Sequence, residues 1–215
     1  IYVVHVSSEE GIQAARALKP NTKNLFFETT SPYLTLDLEQ DLDLLHKMVP
    51  PIRRRKDQKA LWEGLADDTL DTIGSDHTPM SSAQKKTSVN LWEVPPGYPA
   101  VGTHLPSLLD RASGNGLPLA RLVEKMCTSP AKIFGLYPGK GTLLPGSDAD
   151  LVLVDPSLKK EATPQAAASR SDYCLHQGKR LKGWPVAVIK SGRWLTPDSL
   201  DRVRGSLRAK YLRRG

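Results

Sequence analysis

The residues of this chain best suited to chemistry lie in the segment 72–79, whose sequence is TIGSDHTP. A short apolar strand ends here in the acid Asp76 and the imidazole His77, and Pro79 then stops regular structure. Barrel enzymes keep their reactive side chains at the carboxyl ends of strands. Because an Asp before Thr-Pro also suits a turn, the segment alone favours a reactive site and a plain turn equally.

A second candidate, His5, lies near the end of an apolar run at residues 1–7. On its own, a histidine in such a strand is more often a satisfied core or strand-end residue than a ligand. If both segments are parallel strands, however, His5 and Asp76 point into the same rim of the sheet. Imidazole and carboxylate are suitable ligands for zinc or a similar divalent ion. A catalytic zinc needs about three protein ligands, so the pair predicts only part of a metal site.

The remaining histidines and the two cysteines offer no further candidate ligand. His46, His104 and His176 lie in polar or helical surroundings, where we expect surface positions. Cys127 and Cys174 form neither a CxxC pair nor a disulfide framework. The expected compartment is therefore the reducing cytoplasm.

The elements that must position these residues follow an alternating pattern. Over residues 1–76, short apolar segments and helical patterns predict strand, helix, strand, helix, strand, the order of a parallel α/β sheet. The predicted strands are 1–7, 24–28 and 70–75, and the predicted helices are 8–19 and 56–67. A long loop follows at 77–103, and loops of this length are commonly functional or disordered. The pattern then predicts helices at 104–113, 118–127 and 129–135, a strand at 149–155, a weakly patterned stretch at 156–183 and a hairpin at 184–194.

Length and composition are those of an ordinary globular chain. It has 215 residues, 39% hydrophobic and 25% charged, and no apolar run approaches the ~20 residues of a membrane span. It begins with the apolar strand IYVV at residues 1–4, so we expect further sequence upstream, absent through processing or because the chain is a fragment. The net charge of +7 owes much to the tail after Asp201, which holds six basic residues and no acid. A solvated helical tail is favoured over a nucleic-acid-binding module, because no nucleic-acid motif accompanies it.

Several segments, taken together, resemble the carboxyl-terminal half of the cyclic amidohydrolases, a family of dihydroorotases, allantoinases and hydantoinases or dihydropyrimidinases. The segments are HVSS at 5–8, ETTSPYL at 28–34, PPIR at 50–53, GSDHTP at 74–79, SPAKIFGL at 129–136, GSDADLV at 146–152, GWPV at 183–186 and GR at 192–193. Each segment alone is weak, but the combination is specific and covers most of residues 1–195.

The resemblance implies an α/β fold, the carboxyl-terminal part of a metal-dependent hydrolase (β/α)8 TIM barrel with part of a small β-sandwich. Residues 1–138 would hold the last three barrel strands with their following helices, residues 139–197 the part of the sandwich, and residues 198–215 a basic helical tail. The implied activity is hydrolysis of the C–N bond of a cyclic amide at a binuclear metal site, usually zinc, in the complete enzyme. The implied partners are a small cyclic amide or imide and further copies of the enzyme, with neither a membrane nor a nucleic acid.

The resemblance also implies roles for individual residues. His5 would bind one metal ion, and Asp76 would be both a metal ligand and the acid/base that carries a proton to the leaving nitrogen. His77, Tyr98 and Pro99 would lie at the substrate, with a structural role as the alternative for His77. The family's other metal ligands would lie upstream, so the chain alone is expected to bind metal weakly and to be inactive.

Three positions depart from the pattern of a standard dihydroorotase. Met80 stands where a second histidine would help to hold the substrate carboxylate, Pro32 replaces a histidine, and Val49 replaces an Asn or Ser. The departures leave an allantoinase-like or hydantoinase-like enzyme, or a divergent member of unknown substrate. A non-catalytic scaffold or assembly partner is the alternative. His5 and Asp76 favour an enzyme, since a scaffold needs neither.

Overall fold

Three short parallel strands form the first sheet of the computed structural model, which describes residues 1–195 and 211–212. The strands are β1 (Tyr2–Val3), β2 (Phe26–Thr30) and β3 (Thr72–Gly74), with β2 in the centre. The helices between them are α1 (Glu9–Leu18), the short α2 (Ser31–Thr35) and α3 (Arg55–Ala66). The order of the longer elements confirms the alternation predicted for residues 1–76.

Helices α1 and α3 pack against each other through apolar faces. Helix α1 begins after Ser8, whose side chain accepts a hydrogen bond from the backbone N–H of Gly11 at 3.1 Å and so caps the helix. The buried face of α1 consists of Ile12 and Ala15. Gly64 of α3 permits a close approach, because a Cβ there would lie 2.9 Å from Cδ1 of Ile12. An alanine at this position would therefore require the end of the Ile12 side chain to shift.

The first strand is shorter and more exposed than the buried strand predicted at 1–7. Only Tyr2–Val3 pairs with β2, and Val4 is 43% exposed. The predicted burial is wrong for Ile1, Val3 and Val4, because within the described residues β1 has a neighbouring strand on one side only, but it is confirmed for Val6. The following backbone still runs beside β2, since the N–H of Val6 donates to the carbonyl of Glu28 at 2.8 Å.

The predicted loop at 77–103 contains one short helix, α4 (Ser82–Lys85), and its last three residues already belong to α5 (Val101–Ala112). The remaining helical region consists of α6 (Leu119–Val123), a π-helical turn (Glu124–Thr128) and α7 (Ser129–Ile133). Lys125 in the π-helical turn is buried, and its ammonium group donates to the carbonyl of Leu70 at 2.6 Å. This bond holds the turn beside the segment that leads into β3. Among the described helices, none combines the length and apolarity that crossing a bilayer requires.

A second, antiparallel sheet consists of β4 (Leu151–Glu161), β5 (Arg180–Lys190) and β6 (Arg193–Leu195) in that order. Strands β5 and β6 are joined at Ser191 and Gly192, whose φ angles of 50° and 77° suit a tight hairpin turn. The hairpin predicted at 184–194 is confirmed, while β4 continues beyond the strand predicted at 149–155. The helical tail predicted at 198–215 lies outside the described residues apart from two positions.

The weakly patterned stretch at 156–183 is closely packed in the structure. After β4 ends, the backbone at Ala167 approaches α5 so closely that a Cβ on Gly102 would lie 2.2 Å from the Ala167 carbonyl oxygen. Farther along, Asp172 accepts a hydrogen bond from the backbone N–H of Ser82 at 2.9 Å, at the start of α4. The stretch therefore connects the second sheet to the helices that follow β3.

We expect Gly102→Ala to lower the free energy of unfolding by about 2 kcal/mol, because the added methyl group must displace backbone rather than a flexible side chain. Gly114→Ala is the matched control, since a Cβ there would meet nothing within 4 Å. Urea denaturation of both variants checks the prediction. Equal stability of the two variants would show that the stretch around Ala167 does not lie against α5.

Candidate active site

His5 and Asp76 both lie just beyond the carboxyl ends of strands, as the sequence predicts. His5 follows β1 and Asp76 follows β3, and these two strands flank β2 in one parallel sheet. Both residues have a positive φ, 47° for His5 and 48° for Asp76. Non-glycine residues rarely adopt this left-handed conformation, and those that do concentrate at functional sites. Four other described non-glycine residues also have a positive φ, so the imidazole and the carboxylate at neighbouring strand ends, rather than the turns alone, mark this edge as the candidate site.

Glu28, on the central strand, is subject to the charges of both residues. Burial raises the pKa of the Glu28 carboxyl group, and the negative charge of Asp76 raises it further. A hydrogen bond from Tyr2 and the charge of His5 act in the opposite direction. The Tyr2 hydroxyl donates to Oε2 of Glu28 at 2.8 Å. Gly74 leaves room for the carboxyl group, because a Cβ there would lie 2.7 Å from its Cδ. No sequence pattern by itself assigns Glu28 a role, although the residue stands at the head of the ETTSPYL segment.

A tyrosine from the following loop holds the Asp76 carboxylate. The hydroxyl of Tyr98, a buried residue, donates to Oδ2 of Asp76 at 2.8 Å. Burial and the Asp76 charge raise the pKa of Tyr98 well above its usual range, so the phenol keeps its proton and remains a donor. Within the described chain no other side chain donates to this carboxylate. Tyr98 therefore orients Asp76 through one oxygen and leaves Oδ1 without a protein partner among those residues.

His77 caps helix α5. Its Nδ1 accepts hydrogen bonds from the backbone N–H groups of Ala100 at 3.0 Å and Val101 at 3.2 Å. Burial lowers the pKa of the ring, which favours the neutral imidazole that can accept these bonds. Tyr98 and Pro99, which directly precede this helix start, are buried. The structure thus brings His77, Tyr98 and Pro99 together and gives His77 a structural bond, while contact of all three with a substrate stays a prediction.

The donor groups at this edge suit a divalent metal but do not complete a site. His5 offers an imidazole and Asp76 a carboxylate, and both are ligands of zinc-type ions. Within residues 1–195 and 211–212, no cluster of three or more His, Cys, Asp and Glu side chains could hold a metal ion. Because a catalytic zinc takes about three protein ligands, these residues provide a partial donor set.

The surface position predicted for His176 is wrong. This residue is only 3% exposed, and its ring lies between two hydroxyls, Thr35 Oγ1 at 2.9 Å and Thr103 Oγ1 at 3.1 Å. The polar residues around His176 give no indication in the sequence that the stretch at 156–183 packs against α2 and α5. The other two histidines are also partly buried, with His104 hydrogen-bonded to the Ser31 side chain and His46 to the Leu175 carbonyl.

The burial of His176 predicts a loss of stability in acid. Burial lowers the pKa of His176 to about 3, whereas an unfolded histidine titrates near about 6.5. Above the unfolded pKa the ring is neutral in both states; below it the unfolded chain binds a proton that the folded chain does not, so stability falls with pH. Between about pH 7 and pH 5, we expect His176→Gln to lose less unfolding free energy than the wild type in urea denaturation. His46→Gln is the control, and an identical acid loss in all three proteins would contradict the prediction.

Known proteins match this chain along most of its length. Residues 5–195 match the amidohydrolase family. The chain is 37% identical to a dihydroorotase from Thermus aquaticus over 196 residues and 34% identical to a D-hydantoinase from Rhizobium radiobacter over 205 residues. These alignments cover 90% and 92% of this chain but 45% of each relative. The chain therefore spans about half the length of the curated relatives it matches.

Two solved structures resemble this chain over a similar share of its length. The crystal structure of dihydropyrimidinase from Brevibacillus agri matches with a TM-score of 0.83 at 32% identity, over 90% of this chain and 44% of that one. D-hydantoinase from Bacillus sp. AR9 matches with a TM-score of 0.85 at 32% identity, over 92% and 45%. These matches confirm the predicted fold class, part of a TIM-barrel hydrolase with part of a small β-sandwich, while the boundaries at 138 and 197 stay predictions. The chain belongs to the amidohydrolase family, among the cyclic amidohydrolases.

Proposed function

We propose that the full-length protein hydrolyses the C–N bond of a small cyclic amide or imide. The observation that carries the proposal is Asp76, a carboxylate in a left-handed turn at a strand end, oriented by Tyr98 and placed at the same sheet edge as His5. A carboxylate with one oxygen fixed and the other unpaired is suited to accept and return a proton. Membership of the cyclic amidohydrolases supports this class of reaction.

Members of this family are generally metal-dependent, which supports a divalent metal in the working enzyme. In our proposal the metal site is binuclear and holds zinc, with His5 and Asp76 as two of its ligands and the others contributed by sequence outside this chain. Such an ion lowers the pKa of a bound water and polarises a carbonyl group. The 215-residue chain alone would then be inactive, because its described residues supply a partial donor set.

The residues at this sheet edge would each have a separate role in the proposed reaction. As the oxygen of a water forms a bond to the ring carbonyl carbon, Asp76 accepts the proton of that water at Oδ1. It passes this proton to the ring nitrogen as the C–N bond breaks, while its Oδ2 stays hydrogen-bonded to Tyr98. His77 fixes the start of α5 against the Asp76 turn through its Nδ1. Tyr98 and Pro99 lie just before the N-cap of α5, so the bonds of His77 also fix the position of these two residues. We propose that this part of the loop faces the substrate ring.

The substrate that we favour is a hydantoin-like or allantoin-like ring. Met80 and Pro32 supply no imidazole to pair with a ring carboxylate such as that of dihydroorotate. The similarity to a D-hydantoinase from Rhizobium radiobacter supports the same choice, although a Thermus aquaticus dihydroorotase is also among the relatives.

A panel assay tests the proposal. The full-length protein, loaded with Zn²⁺, Mn²⁺ or Co²⁺, would be incubated with dihydroorotate, allantoin, hydantoin and dihydrouracil, and ring opening would be followed by chromatography. We expect turnover of at least one ring and none by the isolated 215-residue chain. Metal binding without turnover of any cyclic amide would support the scaffold alternative instead, and full activity of the isolated chain would refute the partial site.

A further inference from the structure

A cleft lies between the carboxyl-terminal half of α5 and the start of β5, away from the Asp76 edge. Its volume is about 170 Å³. The charged side chains that line it are Asp110, Arg111, Lys179 and Arg180. Helix α5 meets the Asp76 turn at its opposite end, where Ala100 and Val101 bond to His77. The cleft is therefore separate from the candidate active site.

The charges in this cleft do not balance. Three of the four charged groups are cations, and the one acid, Asp110, accepts a hydrogen bond from the backbone N–H of Lys182 at 3.0 Å. The ammonium group of Lys179 donates to the neutral side-chain amide of Gln40. Among the described residues, neither the Arg111 nor the Arg180 guanidinium has a hydrogen-bond or ion-pair partner. The cleft thus has an excess of positive charge and guanidinium N–H donors that are unpaired within the described residues.

The hydroxyls that line the cleft do not supply the missing negative charge. The hydroxyls of Thr35 and Ser107, which also line the cleft, already donate to the backbone carbonyls of Ser31 and His104. Burial lowers the pKa of Lys179, the charge of Arg111 lowers it further, and the charge of Asp37 opposes this fall, so Arg111 and Lys179 repel each other despite one nearby acid. An anion between them would remove this repulsion.

We propose that this cleft binds a small oxyanion, a phosphate or carboxylate group, between Arg111, Arg180 and Lys179. Guanidinium groups present planar forks of N–H donors that match two oxygens of such an anion, and charge-assisted bonds of this kind are among the stronger ones. Arg111 and Arg180 are exposed at the mouth and Lys179 lies deeper, so a ligand can enter from solvent. The site is independent of the proposed hydrolase activity, because no group of the Asp76 edge takes part in it.

Calorimetric titration of the full-length protein with inorganic phosphate at constant ionic strength tests the proposal. We expect a Kd below roughly 1 mM, weakened about tenfold by Arg111→Gln and about tenfold by Arg180→Gln. Neither guanidinium has a partner in the described chain, so both variants should fold normally, which circular dichroism would check. Lys23→Gln, at an exposed lysine outside the cleft, is the matched control and should bind like the wild type.

Parallel titrations with sulfate and citrate distinguish the two chemistries. Tighter binding of phosphate and sulfate would assign the cleft to tetrahedral oxyanions, and tighter binding of citrate would assign it to carboxylates. Failure of the folded wild type to bind any of the three would overturn the proposal. So would an affinity that the double variant of Arg111 and Arg180 retains, or an equal loss in Lys23→Gln.

Discussion

Asp76→Asn is expected to lower the turnover of a cyclic amide by the full-length protein about a thousandfold. Asparagine preserves the size of the side chain and an oxygen that can accept the Tyr98 hydrogen bond, which is 2.8 Å long in the structure. It cannot accept and return a proton near neutral pH, so the loss should fall on kcat. The measurement is steady-state kinetics with the ring that the panel assay identifies.

The matched control is Asp41→Asn, which removes the same charge at an exposed acid outside the candidate site. We expect the control to keep wild-type kinetics and both variants to keep wild-type circular dichroism. Metal content would be measured in each protein, because loss of a ligand could also lower activity. Unchanged kcat in a folded, metal-loaded Asp76→Asn would remove Asp76 from the proposed proton transfer.

The placement of His5 and Asp76 could be predicted because it depends on local pattern and chain order alone. Short apolar segments separated by helical ones predict a parallel sheet, and a parallel sheet brings the carboxyl ends of its strands to one edge. The structure confirms both steps for β1, β2 and β3. The exposure of β1 could not be predicted, since it depends on which strand, if any, lies beside it.

The hydrogen bonds that orient the site could not be read from the sequence. Tyr98 reaches Asp76 across a loop, and His77 reaches Ala100 across the same loop, so both bonds depend on how that loop folds. His176 and Thr35 are hydrogen-bonded although they lie 141 positions apart in the sequence, and the polar neighbours of His176 favour the opposite environment. Long-range contacts of polar residues carry no periodic signal, so the burial of His176 cannot be read from the sequence.

Lys85 is the clearest case of a buried residue with no sequence signal. It is followed by another lysine, Lys86, in a polar segment, yet its side chain is 0% exposed and that of Lys86 is exposed. Its ammonium group donates to three backbone carbonyls, Lys47 at 2.6 Å, Pro95 at 3.0 Å and Gly97 at 2.9 Å. Burial lowers the pKa of Lys85 to about 8. Because Gly97 directly precedes the tyrosine that holds Asp76, Lys85 fixes the loop of the candidate site.

Lys85→Met should therefore lower the free energy of unfolding by about 3 kcal/mol, since it leaves one buried and two partly buried carbonyls without their charged donor. Lys86→Met removes the same charge one residue away, at an exposed position, and should cost less than about 0.5 kcal/mol. Urea denaturation of the two variants gives the comparison. If both variants were equally stable, water would have to replace the ammonium group at all three carbonyls, and the loop would not depend on Lys85. A large loss confined to Lys85→Met would show that a single buried cation holds the loop that carries Tyr98 to Asp76.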